Sequence, residues 1–194
     1  MFSKTFRALV AFGGIALGAA LMPLEARADW LSDLFGDPGG NFNPRTMVRF
    51  SPKYEPGQII ISFGDRRLYY VSQRGTAISY PIAIPKGDAR WAGSMTVSDK
   101  RVNPSWTPTA DMRAENPKLP AYVPGGHPRN PLGVRALYLG SSMYRIHGTD
   151  APWQIGQEVS HGCVRMLNDD VVDLYNRARV GTRVTVTWAR FATS

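Results

Sequence analysis

Between Gln58 and Ile84 the chain alternates β-rich runs with breaks too short for anything but hairpin turns. Gln58 to Phe63 is followed by Gly64-Asp65, Arg67 to Val71 by Gln73-Arg74-Gly75, and Thr76 to Ile84 completes the series. Breaks of this length and composition force adjacent strands to run antiparallel, which predicts a meander. Ser94 to Ser98, Val134 to Leu139 and Tyr144 to His147 predict further strands. Arg183 to Trp188 alternates strictly, with Val184, Val186 and Trp188 on one face and Arg183, Thr185 and Thr187 on the other, as a half-buried strand should. The one strong helical pattern is Asn168 to Ala178. Asn168 is placed to cap it, Asp169 and Asp170 stand in its first turn, and Val171, Leu174, Tyr175 and Ala178 form one apolar stripe, with Gly181 as its stop. The expected fold is mainly β, with a short helix near its end. A length of 194 residues with 43% hydrophobic content suits one such domain plus extra segments.

Those extra segments are legible at the N-terminus. Lys4 and Arg7 precede the apolar run Ala8 to Leu21, and Ala26-Arg27-Ala28 has the small-x-small pattern of a cleavage site. Residues 1–28 therefore read as a signal peptide; the run of about 14 apolar residues is short against the roughly 20 of a spanning helix. Residues 29–56 are rich in breakers, with Asp37-Pro38-Gly39-Gly40, Asn43-Pro44, Ser51-Pro52 and Glu55-Pro56-Gly57, and are expected to form an extended arm or linker. Residues 57–190 then make the domain. Removing the leader takes away three cations and one anion, which lowers the formal charge of +8 by two, to +6. Without a nucleic-acid motif, a basic exported protein points to an anionic membrane or polymer.

Within the domain, Arg101 to Pro131 carries seven prolines together with Trp106 and Tyr122. A segment this long between strands is expected to act as a lid or binding loop, with Trp106 and Tyr122 lining a substrate site or pinning the loop.

Cys163 is the sole cysteine of a chain bound for an oxidising compartment, so it has no intramolecular disulfide partner, and its retention implies either burial or reactivity. A thiol is a useful nucleophile only as thiolate, and its ordinary pKa of about 8.5 leaves little of that form at neutral pH without a nearby base or positive field. His147 ends a predicted strand in Ile146-His147-Gly148-Thr149, and His161 lies two residues before Cys163 in Ser160-His161-Gly162-Cys163-Val164-Arg165-Met166. The backbone amides of Gly162 and Cys163 are placed by sequence to receive negative charge developing on a carbonyl oxygen, and Gly148 and Gly162 permit close backbone approach. Arg165 could favour the thiolate or brace the loop.

Taken together, His147-Gly148-Thr149 and Ser160-His161-Gly162-Cys163-Val164-Arg165-Met166 resemble the signature of the L,D-transpeptidase catalytic domain, the YkuD-type or ErfK/YbiS/YcfS/YnhG family. The resemblance covers roughly Gly57 to Trp188, including Trp106-Thr107-Pro108-Thr109. It implies a β-sandwich-like domain in the periplasm, with Cys163 as nucleophile and His147 as general base, and with Ser160, Gly162 and Arg165 around the thiol. His161 and Gly148 are expected as supporting residues. It implies acyl transfer on peptidoglycan stem peptides, with an amine of another stem or of an envelope protein as acceptor, and no cofactor or metal. Relatives often carry a Gly a few residues before the His, whose carbonyl orients the imidazole; this chain has Ser142-Met143-Tyr144 there. Water as acceptor would make the same thioester chemistry an L,D-carboxypeptidase. A papain-like arrangement would reverse the order of His and Cys. A structural wall protein binding metal through His127, His147, His161 and Cys163 is the reading from another class, although that spacing matches no common zinc pattern.

Overall fold

The computed structural model describes residues 43–191. The signal-peptide reading of residues 1–28 and the first half of the arm lie outside them. Ten strands follow in chain order: β1 Thr46–Arg49, β2 Ile59–Ser62, β3 Arg67–Gln73, β4 Thr76–Pro85, β5 Gly93–Val102, β6 Arg135–Leu139, β7 Arg145–His147, β8 Glu158–Ser160, β9 Val164–Met166 and β10 Arg183–Thr187. Two helices join them, α1 Ala110–Glu115 and α2 Asn168–Arg177.

The meander forms as its turns dictate, β2 pairing with β3 and β3 with β4, all antiparallel. Strand β10 runs parallel to β2 on one side and antiparallel to β5 on the other. From β5 the sheet continues through β6, β7 and β9, and β9 pairs back onto β4 at Ile82 and Ala83. The pairing is therefore a closed ring, with ten-residue β4 serving β3 along its first half and β9 and β8 along its second. Closure leaves no open edge among the ring strands and encloses one core, a barrel-like relative of the expected sandwich.

Side chains sort by the period of two. Ile59 and Ile61 of β2, Leu68 of β3, Tyr80, Ile82 and Ile84 of β4, and Val184 and Val186 of β10 all enter the main core. Helix α2 closes one end of that core with Val171 and Leu174, followed by Ala178. The intervening residues Ile60, Tyr69, Val71 and Ala77 meet a second cluster on the outer face, where Phe50 packs and Val48, Tyr54 and Phe191 cover it.

That outer cluster receives the arm of residues 29–56. Its described part adds β1 to β4 in antiparallel register, Thr46 opposite Ser79, and Arg45 reaches Asp170 and Asp173 of α2 at 3.6 and 3.5 Å. Breakers in the sequence concealed four extended residues and the aromatic contacts that hold them, Phe50 to Tyr69 at 4.8 Å and Phe50 to Phe191 at 4.9 Å. The alternation ascribed to Arg183 to Trp188 also stops early: β10 ends at Thr187, and Trp188 is half exposed with its ring edge against Phe63.

Two further expectations change. Asn168 does not cap α2; the cap position is Leu167, without a side-chain bond. Nor is the proline-rich segment a bare loop. Strand β5 runs on to Val102, Trp106 and Val123 exchange backbone hydrogen bonds at 2.9 and 2.8 Å, and Thr109 caps the short α1 through Met112 N–H. Buried Asn130 ties its base, donating to the Pro104 and Pro124 carbonyls and accepting from Leu132 N–H.

Candidate active site

The site begins with the parallel pairing of β7 and β9, in which Ile146 lies opposite Val164 and His147 opposite Arg165. Ile146, Val164 and Met166 face the core. By alternation, Arg145 and His147 on one strand and Cys163 and Arg165 on its neighbour share the other face. All four line one cavity of about 420 Å³, together with Trp106, Ser160 and His161. Met112, Glu115 and Leu119 of the proline-rich segment also line it.

His147 is buried, and its Nδ1 lies 2.6 Å from the Gly148 carbonyl oxygen. A carbonyl only accepts, so the bond requires Nδ1–H and leaves the lone pair on Nε2. The orienting group is thus the residue after the histidine rather than one in Ser142-Met143-Tyr144. Burial, seconded by the charge of Arg165, pulls the His147 pKa down to about 3. The neutral imidazole is therefore the form present at physiological pH.

Gly148 is held in turn by Asn168. The Asn168 side-chain oxygen accepts from Thr149 N–H at 3.1 Å and Val134 N–H at 3.4 Å, and its amide donates to the Thr149 carbonyl at 2.9 Å. A Cβ on Gly148 would come within 2.2 Å of that oxygen, so this position has no room for a side chain.

Cys163 stands at the head of β9, half-buried. Its Sγ lies 3.7 Å from the Met143 carbonyl oxygen. Burial pushes the thiol above its ordinary pKa, opposed chiefly by the Arg145 charge and by hydrogen bonds from the Arg145 backbone and side chain, and more weakly by Arg165. The turn before it is tied at both ends: the Ser160 hydroxyl donates to the Cys163 carbonyl, and Trp91 Nε1 donates to the Gly162 carbonyl at 3.1 Å. The Trp91 ring stacks on Tyr144 with centroids 4.6 Å apart. Gly162 has φ 123°, and a Cβ there would meet Tyr144 Cε1 at 2.7 Å. Only glycine suits both the conformation and the space.

Arg165 donates to Gln154 Oε1 at 2.5 Å and feels the charge of Asp150. His161 pairs through Nε2 with Glu115 Oε2 at 2.9 Å, which joins the thiol turn to α1. Tyr122 stands outside the cavity lining and is more than half exposed. Exposed His127 accepts from Arg129 N–H. Among the described residues no three His, Cys, Asp or Glu side chains converge as a metal site would require, so His127, His147, His161 and Cys163 do not form one donor set.

Sequence reasoning passed over Arg145, although the strand assigned to Tyr144 to His147 already implied that Arg145 shares a face with His147. Gln154 and Glu115 carried no such signal, because they arrive from segments without periodicity.

Residues 56–186 match the family model of YkuD, the L,D-transpeptidase catalytic domain. The chain belongs to this family. Among curated L,D-transpeptidase relatives, Probable L,D-transpeptidase YbiS of Escherichia coli K12 is 45% identical over 133 residues, 65% of this chain and 43% of that protein. The chain thus spans less than half the length of that relative. A Brucella melitensis crystal structure is 42% identical, covering 76% of this chain and 94% of that one with a TM-score of 0.50. It bears the name probable carnitine operon oxidoreductase CaiA, which is at odds with the transpeptidase family that this chain matches. The catalytic domain of the Enterococcus faecium L,D-transpeptidase, solved as acylated by ertapenem, shares the fold at 18% identity and a TM-score of 0.52, over 69% of this chain and 98% of that one.

Proposed function

We propose that the protein is an exported acyltransferase of the periplasm that joins peptidoglycan stem peptides, with Cys163 as nucleophile and His147 as general base. The observation that carries this reading is that both side chains line one cavity, from adjacent parallel strands, beside a neutral imidazole whose Nε2 keeps its lone pair. Residues 1–28 are the leader lost on export, residues 29–56 an arm whose second half docks, and residues 57–190 the catalytic domain.

In the first half-reaction His147 Nε2 takes the thiol proton as sulfur attacks the carbonyl that precedes the terminal D-residue of a stem tetrapeptide. The Gly162 and Cys163 amides receive the negative charge on the carbonyl oxygen, with Ser160 bracing the turn. The imidazolium returns its proton to the leaving amine, D-alanine departs, and a thioester remains. In the second, an acceptor amine attacks the thioester, gives its proton to His147, and the thiol is restored. The amine comes from another stem or from an envelope protein. Water in its place gives trimmed tripeptide, an outcome that the proline-rich wall of the cavity disfavours.

Purified protein is to be mixed with tetrapeptide muropeptides beside Cys163→Ala, and followed by mass spectrometry. A thioester adduct and crosslinked dimer are expected only with the thiol present; tripeptide without dimer would make the enzyme a carboxypeptidase. Ertapenem offers a second probe: the intact mass should rise by one acyl group in the parent protein and stay unchanged in Cys163→Ala.

A further inference from the structure

Arg145 is a cation without an anion. Its Nε is buried with no hydrogen-bond partner, its guanidinium lies 5.0 Å over the Tyr138 ring, and no described carboxylate is within ion-pair distance. Arg165 shares the unpartnered Nε, but its guanidinium already donates to Gln154 and feels the charge of Asp150, and Glu115 has His161. Arg145 is half-buried, and a guanidinium whose Nε has left water without a partner is favoured most when an anion or donor-matched acceptor meets it. Arg145 lines the same cavity as the thiol and precedes by one residue the register pair Ile146–Val164, so it stands across from Cys163.

We propose that Arg145 binds the free α-carboxylate of the residue that leaves, so that the cavity selects donor peptides ending one residue beyond the bond attacked. This rests on the acyl-transfer reading above. The covalent distances agree. In such a donor only the nitrogen and one Cα separate the attacked carbonyl carbon from the terminal carboxyl carbon, a span of about 3–4 Å from standard bond lengths. A guanidinium that acts on the attacking sulfur therefore also reaches that carboxylate, and its planar fork matches two carboxylate oxygens at once. Arg165 is less suited, since Gln154 already occupies part of its fork.

The test compares iodoacetate with iodoacetamide. Each alkylates Cys163 by displacing iodide, but only the first carries a carboxylate. Rates are normalised to those of free cysteine with the same reagents. The parent protein should favour iodoacetate, and Arg145→Gln should lower the iodoacetate-to-iodoacetamide ratio on the order of tenfold, the scale of one charge-assisted pair. Arg145→Lys should restore most of it. If Arg145 merely acidifies the thiol or holds the fold, both reagents slow together, the ratio stays fixed, and the proposal fails. A tetrapeptide donor and its C-terminal carboxamide, given to the parent protein, supply the second arm and do not depend on any variant folding. The carboxamide should show a KM raised on the order of tenfold with kcat less affected. Equal KM values would overturn the carboxylate site. Neither peptide reacting while the reagent ratio responds to Arg145 would sink the transpeptidase reading and leave the carboxylate site standing.

Discussion

His147 Nδ1 donates to the carbonyl oxygen of Gly148, its own neighbour, at 2.6 Å. The bond is made within a single dipeptide, so the imidazole takes its tautomer from local backbone geometry and needs no carboxylate. With the ring buried and neutral, the thiol and imidazole start as an uncharged pair rather than as thiolate and imidazolium.

That starting state fixes the pH dependence of the thiol. The His147 pKa near 3 keeps the base form available across the physiological range, while burial holds the Cys163 thiol above its usual value. Alkylation by iodoacetamide should climb with pH and show no plateau below a pH of about 8.5, the ordinary thiol value. A plateau beginning in the acid range would mean a preformed ion pair and contradict the burial described here. Replacing His147 with Gln should slow acylation by roughly a hundred- to ten-thousandfold.

Stability should follow the same histidine. A folded pKa near 3 lies below the unfolded value of 6.5, so the unfolded chain binds the extra proton between those limits. The contribution is full above the unfolded pKa and is lost as pH falls toward the folded one, by at most on the order of 5 kcal/mol at about 1.4 kcal/mol per pH unit. Urea titrations at a series of pH values should show this loss, and His147→Gln should flatten it.

Asn168→Ala removes three hydrogen bonds that clasp Val134 and Thr149 around Gly148. Part-buried backbone groups left unpaired cost about 1–3 kcal/mol, so a lowered midpoint in denaturant is expected, with slower acylation than in the parent protein. A pure capping role would affect α2 alone and leave the acylation rate unchanged.

Gly162→Ala should be more damaging to the thiol turn than to the rest of the fold. The left-handed conformation and the approach to Tyr144 together cost about 1–3 kcal/mol, and the turn must shift to relieve them. Loss of Cys163 reactivity with near-parental circular dichroism is the expected pattern.

Glu115→Gln leaves α1 without a charged partner for His161. Little change in thermal midpoint is expected from so exposed a pair, but the share of donor lost to water over dimer should rise as that wall of the cavity loosens. Product ratios by mass spectrometry decide it.

Much of this was legible in the sequence because its signals were local. The turns at Gly64-Asp65 and Gln73-Arg74-Gly75 dictate the meander, and the stripe Val171, Leu174 and Ala178 dictates α2. Cys163, His147, Ser160 and Arg165 line one cavity, the neighbourhood that the resemblance of their two segments to the family signature implied. What escaped notice depends on partners distant in the chain. The β1 strand owes its form to β4 and to the cover Phe191 gives Phe50. Asn168 has the composition of a helix cap, yet Thr149 and Val134 offer it bonds that the helix start does not. The proline-rich segment contains α1, capped by Thr109, a signal that the surrounding prolines obscured. Nothing local distinguishes Trp106, which lines the cavity, from Tyr122, which does not.

Strand β10 lies between β2 and β5, yet it follows every other strand of the ring in chain order. Strands β2 and β5 are thus joined only through a strand that lies far beyond both along the chain, so shutting the circuit is a long loop closure whose entropy cost falls on the last contacts of the ring to form.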